Sequence, residues 1–209
     1  MKNYNILSIL FFACLTIISC KKDKEPITTD ISGTHISVDD IKNYLPTHLL
    51  QKNASVVYKN STGEEIVLQT TFTERTFNAE EQGKPYTYTQ FFVRFSDTKN
   101  PNFSIELYGY GLYTSKFDVQ KSIRAYLMPL NNGIGSIVSS EFKNGKALVR
   151  DIDTFMESVD GNGAVFNDVY IGKANDALAY SEIWLNSNEG ITAFSDKNEN
   201  LWTFVKFIN

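Results

Sequence analysis

Tyr86-Thr87-Tyr88-Thr89-Gln90-Phe91-Phe92-Val93-Arg94-Phe95 is the stretch that decides the fold class of this 209-residue chain. Phe91, Val93 and Phe95 occupy every second position, and Tyr88, Gln90 and Arg94 fall on the opposite parity. Side chains of a strand alternate between two faces, so this spacing predicts a strand with one buried and one solvated face. Aromatic and β-branched residues suit that half-buried pleated surface. The same period recurs outward from it. Upstream, Val56 and Tyr58 run into the turn Asn60-Ser61-Thr62-Gly63, after which Ile66, Leu68, Thr70 and Phe72 share a face. Downstream, Asp97 to Pro101 reads as a loop, Phe103, Ile105 and Leu107 open another strand, and Ile123 to Leu130 follows.

Asn144-Gly145, flanked by Phe142 and by Ala147-Leu148-Val149, carries the clearest hairpin signal, because Asn-Gly adopts the positive φ angles of a two-residue turn. Val165 to Ile171, Leu178 to Leu185, Ile191 to Phe194 and Leu201 to Phe207 are strand-like, while Asp151 to Glu157 suits a strand or a helical turn equally. About nine to eleven strands on short turns predict a mainly β fold, antiparallel meanders and hairpins forming a sandwich or partly open barrel. Parallel βαβ units would need crossover helices, for which the chain has no segments. One short N-terminal helix is expected: Ser37-Val38-Asp39-Asp40 reads as its start, Ile41, Tyr44 and Leu45 share a face, and Pro46 ends it.

The N-terminus reads as an address. Lys2 precedes the apolar run Ile6 to Ile18, and Ser19 stands directly before Cys20-Lys21-Lys22-Asp23-Lys24. The run spans about 13 residues, short of the roughly 20 that a membrane-crossing helix needs, and fits a secretory signal. Residues 1–19 are therefore expected to be a signal peptide, 20–36 a polar, aperiodic tether, and 37–209 a single β-rich domain. Cys14 would leave with the signal, so Cys20 would be the only remaining cysteine and no intrachain disulfide could form. With a net charge of −4 and no basic cluster beyond Lys21–Lys24, the chain carries no nucleic-acid footprint.

The Ser19-Cys20-Lys21-Lys22-Asp23 junction resembles the signals of lipoproteins from Bacteroidetes-type bacteria. Tyr44-Leu45-Pro46 followed by Tyr58-Lys59-Asn60-Ser61-Thr62-Gly63-Glu64 resembles the opening of many uncharacterised lipoproteins of that phylum. Gly190-Ile191-Thr192-Ala193-Phe194 followed by Trp202 resembles their C-terminal hairpin, although Glu199-Asn200 stands where a Gly is usual and implies a longer turn. The resemblance implies lipidation of Cys20 and a cell-envelope location, anchored to the outer membrane and facing the periplasm or the surface. It supplies no catalytic residue.

Chemistry-bearing residues are sparse. His35 and His48 are the only histidines, and no Gly-x-Ser-x-Gly elbow occurs, which argues against a nucleophilic triad. Two histidines and one lipidated cysteine cannot build a usual zinc site. The oxygen-rich Asp160-Gly161-Asn162-Gly163 and Asp196/Asn198/Asn200 lack the later bidentate Glu of a calcium loop and read as turns. No metal or cofactor is expected. Glu106, Asp168 and Glu182 are the carboxylates that a glycosidase would pair. Trp184 and Trp202 are expected to pack together. The most suggestive stretch is Phe103 to Tyr113: if Phe103, Ile105 and Leu107 face the core, Glu106, Tyr108 and Tyr110 face away from it and can present a binding surface. The leading expectation is a non-catalytic module that binds a glycan or an envelope protein; a small hydrolase with paired carboxylates and a structural or assembly lipoprotein are the alternatives. Cys20→Ala should leave the precursor uncleaved or release an unlipidated protein; intact mass of the wild-type membrane form showing unmodified Cys20 would refute lipidation.

Overall fold

The computed structural model describes residues 29–100, 103–128, 136–143, 146–149, 153–173, 182–195 and 200–208. Cys20, the signal and most of the tether lie outside the described residues, as do Asn144-Gly145 and 196–199. The strands are β1 (His35–Ile36), β2 (Ala54–Lys59), β3 (Glu65–Glu81), β4 (Lys84–Asp97), β5 (Ser104–Tyr113), β6 (Val119–Met128), β7 (Ser136–Lys143), β8 (Lys146–Val149), β9 (Asp153–Gly161), β10 (Ala164–Lys173), β11 (Glu182–Asn186), β12 (Gly190–Ser195) and β13 (Leu201–Ile208). The helix α1 is the single turn Asp39–Lys42, and a 3-10 turn spans Thr47–Leu50.

These strands form one sheet in the order β8-β7-β6-β5-β4-β3-β2-β13-β12-β11-β10-β9, with the short β1 added in parallel to β4. All the other pairings are antiparallel. Two meanders, β2 to β8 and β9 to β13, are thus joined where β2 pairs with β13. The sheet curls until β7 approaches β10 and β11, but among the described residues no ladder joins the two ends; the mainly β, antiparallel fold expected from the sequence, as a sandwich or partly open barrel, takes the form of one curled sheet that does not close. The two strands beyond the expected nine to eleven are β1, which is only two residues long, and β9, an edge strand whose exposed residues show no apolar period. β7 and β8 pair antiparallel on either side of Asn144-Gly145, with Lys143 opposite Lys146.

Alternation sets the two faces. Phe91, Val93 and Phe95 of β4 are fully buried on the inner face, as are Ile105 and Leu107 of β5 and Ile123 of β6. The space they enclose is filled by the N-terminal segment: Val38, Ile41, Leu45 and Leu49 join the same core as Tyr58, Phe194 and Trp202. Ion pairs from Lys42 to Glu74 of β3 and from Lys121 of β6 to Asp40, both 2.7 Å, hold this segment on one side. On the other side, His48 stacks on Phe207 at 4.7 Å and Tyr44 meets Tyr170 edge-on at 6.4 Å. Gly109 faces inward against Phe91: a Cβ there would lie 2.0 Å from the ring, so only glycine lets β5 pass it.

A second, smaller core lies on the outer face. The β9–β10 hairpin turns at Asn162-Gly163 with φ of 53° and 80°, the positive-φ pair of a two-residue turn. Its tip folds over β11 to β13, and Asn162 donates a 2.7 Å hydrogen bond to the Leu201 carbonyl. Phe166, Trp184 and Ala193 pack beneath it. Asp168, a non-glycine residue at φ 52°, marks where β10 changes course between this overhang and its pairing with β11. Trp184 therefore belongs to the outer cluster and Trp202 to the inner core, on opposite faces of the sheet. The expected packing of the two indoles fails because register, which no local pattern reveals, puts them on different parities.

The folded unit begins at Ile31 rather than at Ser37. Ile31 and Ile36 are buried with Tyr86 against the β3–β4 hairpin, and His35 is held by Thr87 (2.9 Å) and Thr89 (3.0 Å). Two isolated isoleucines in a polar stretch have no period to announce them. Starting the chain at Ser37 instead of Ile31 should cost about 3–6 kcal/mol, from the burial of two isoleucines at about 1.5–3 kcal/mol each. Denaturant unfolding of the two truncations measures it; equal midpoints would refute the docking.

Candidate ligand-binding face

Glu106, Tyr108 and Tyr110 lie on the outer face of β5, as the alternation predicts, while Phe103, Ile105 and Leu107 are buried behind them. Pairing brings in residues from neighbouring strands. Phe92 of β4 and Arg124 of β6 stand opposite Tyr108; Arg94 and Tyr126 stand opposite Glu106; Gln90 stands opposite Tyr110, and Arg75 of β3 opposite Gln90. Opposed residues on one face are in side-chain contact distance, so these rows form one surface.

The aromatic rings lock edge to face. Tyr108 meets Phe92 at 5.0 Å and 73°, and Tyr126 at 5.2 Å and 83°. The quadrupoles of aromatic rings favour this T-shaped arrangement. Phe77 extends the row on β3, near Tyr88 at 5.5 Å and Phe92 at 6.5 Å. None of these outer rings is fully buried. The Arg124 guanidinium lies over the Tyr110 ring, 5.4 Å from its centroid.

Polar contacts fix the carboxylate. Tyr108 donates its hydroxyl hydrogen bond to Glu106, and Arg94 Nε faces the other carboxylate oxygen at 3.6 Å. Burial, the hydrogen bond and the neighbouring carboxylate together push the Tyr108 hydroxyl well above the usual tyrosine range, so it remains a donor. Arg94 is 56% exposed and Glu106 only 20%, so the arginine reaches solvent beyond its partner. Beside them is a depression of about 510 Å³, lined by Thr73, Arg75, Phe92, Arg94, Glu106 and Tyr108 among others.

The other candidates do not converge with this face. Glu182 accepts a hydrogen bond from the Trp184 indole. Asp168 is exposed at its bend, and Glu182 lies opposite Lys173, five residues further along β10. At about 3.3 Å per residue that separates the two carboxylates by roughly 15 Å, beyond the 5–10 Å of a glycosidase pair. His35 and His48 are occupied by Thr87, Thr89 and Phe207. Asp160-Gly161-Asn162-Gly163 is a hairpin turn in which Asp160 accepts from the Gly163 amide at 3.0 Å. No group of three or more His, Cys, Asp or Glu side chains suited to a metal occurs among the described residues.

Sequence reasoning found three residues of this face and missed Arg75, Phe92, Arg124 and Tyr126. Parity puts Arg94 on the outer face of β4, and the same count puts Phe92 there. Their places beside Tyr108 and Glu106 depend on cross-strand register. No family model, curated protein or solved structure matches the chain.

Tyr108 is half-buried against two rings, whereas Phe91 directly behind the sheet is fully buried. Tyr108→Ala should therefore cost about 1–2 kcal/mol, against about 3–5 kcal/mol for Phe91→Ala. Urea unfolding of both variants ranks them; equal losses would mean that Tyr108 is core.

Proposed function

We propose that this chain is a lipid-anchored cell-envelope protein, non-catalytic, whose outer β3–β6 face binds a carbohydrate. The observation that carries the reading is the half-exposed Phe92-Tyr108-Tyr126 row beside Tyr110, with Glu106 and Arg94 at its margin. Aromatic side chains offer flat apolar area to the C–H faces of a sugar ring, and fixed polar groups at the edge orient its hydroxyls. The rings are held by packing against one another, so binding would order few side chains. The separation of Asp168 from Glu182, and the engagement of Glu106 by Tyr108 and Arg94, favour binding over acid–base hydrolysis.

The anchor belongs to the same reading. A lipidated Cys20 followed by a polar segment would tether the folded unit to the membrane and leave the strand faces accessible. The test is Tyr108→Ala with Tyr110→Ala, assayed by affinity electrophoresis in gels containing polysaccharides, with circular dichroism as the fold control. A folded double variant should lose retention that the wild type shows. Unchanged retention, or a wild type retained by no polysaccharide, would overturn the proposal.

A further inference from the structure

The charge on this face is opposite to that of the chain. The protein carries a formal net charge of −4, yet the three outer rows around Tyr108, from Thr71-Arg94-Glu106-Tyr126 to Arg75-Gln90-Tyr110-Ser122, hold three arginines, Arg75, Arg94 and Arg124, against one carboxylate, Glu106; Glu65 and Glu81 share this parity of β3 but stand at its two ends. That carboxylate is already engaged by the Tyr108 hydroxyl and faced by Arg94. Arg75 and Arg94 both line the depression beside Tyr108, and Arg94 is more than half exposed there. Arg124 lies over Tyr110, and its buried Nε has no hydrogen-bond partner among the described residues. Glu141 of β7 stands opposite Ser122 in the register.

We infer that the ligand of this face is an acidic glycan, with uronate-type carboxylates on the arginines and its sugar rings on Phe92, Tyr108 and Tyr110. The inference rests on the carbohydrate reading above and adds the charge class. Three considerations carry it. A guanidinium presents a planar fork of N–H donors that matches a carboxylate, and it is more weakly hydrated than an ammonium. The face uses arginine at all three cationic positions. Spacing also fits: outer positions recur about 6.6 Å apart along a strand, and neighbouring strands lie about 4.8 Å apart. Arg124 stands opposite Tyr108 and Arg94 one outer position along from Phe92, so a sugar on those rings has a guanidinium within about one sugar unit on two sides. Finally, three arginines around one carboxylate leave these rows with a net positive charge, which raises the local concentration of anions even on an acidic protein.

The test uses the full chain in detergent micelles and three soluble polymers: polygalacturonate, a neutral galactan and poly-glutamate. Polygalacturonate should retain the wild type most strongly, and raising NaCl from 50 to 500 mM should weaken that retention, as screening requires. Arg75→Gln with Arg94→Gln should reduce it by about tenfold or more, the scale of losing charge-assisted hydrogen bonds, while Lys206→Gln on the exposed part of β13 should not. If the double variant unfolds, Arg75→Gln alone, at an exposed position, carries the comparison. Equal retention by galactan would overturn the acidic class and leave the carbohydrate reading standing. Equal or stronger retention by poly-glutamate would overturn both, since sugar rings would then contribute nothing. Retention by none of the three, or an arginine variant that binds polygalacturonate like the wild type, would overturn the inference.

Discussion

The pairing of β2 with β13 is the seam on which the rest of the structure depends. It joins a meander that starts near the N-terminus to one that ends the chain, so its closure entropy is that of nearly the whole folded unit. What offsets that cost is buried beside it. Tyr58 of β2 is completely buried, meets Phe194 edge-on at 5.1 Å and donates a 3.0 Å hydrogen bond to the Ile191 carbonyl. A buried hydroxyl without such an acceptor would be a penalty; with it, Tyr58 sets β2 against β12 and β13 in one register. Burial also pushes its ionisation far above the usual tyrosine range, so the donor persists.

A curled sheet with one apolar face needs something inside it. Here the filling comes from the chain itself, through Val38, Ile41, Leu45 and Leu49. The only helical pieces of this segment are the single turns Asp39–Lys42 and Thr47–Leu50, too short to be stable alone. The ion pairs Lys42–Glu74 and Lys121–Asp40 and the ring contacts of Tyr44 and His48 hold the segment to strands on both sides of the seam. Partly exposed pairs of this kind contribute little each, so burial is the main term and the charges select orientation. Because the interior is occupied, the surface left for recognition is the outer face.

That outer face has two regimes. Over β11 to β13 it is covered by the β9–β10 hairpin, which buries Trp184 against Phe166. Over β3 to β6 the aromatic rows Phe77, Phe92, Tyr108 and Tyr126 remain half-exposed, with arginines between them. The same alternation that builds the core thus leaves a ring-and-charge surface on one side and a second core on the other. The difference between them is a single overhanging hairpin.

Strand identity, the facing of β4 and β5, and the turn at Asn162-Gly163 were legible in the sequence, because period-two alternation and positive-φ turn residues are local properties of the chain. The outward placement of Glu106, Tyr108 and Tyr110 followed from the same alternation. Other features were decided only by tertiary structure. Ile31 and Ile36 became core because the β3–β4 hairpin projects far enough to meet them. Trp184 and Trp202 parted because a strand's absolute facing depends on which neighbour it pairs with and in what register. Arg124 and Tyr126 joined Tyr108 because β6 lies against β5 with Arg124 opposite Tyr108. Local pattern specifies how a residue sits relative to its chain neighbours; which residues meet across strands is set by the burial of the whole sheet.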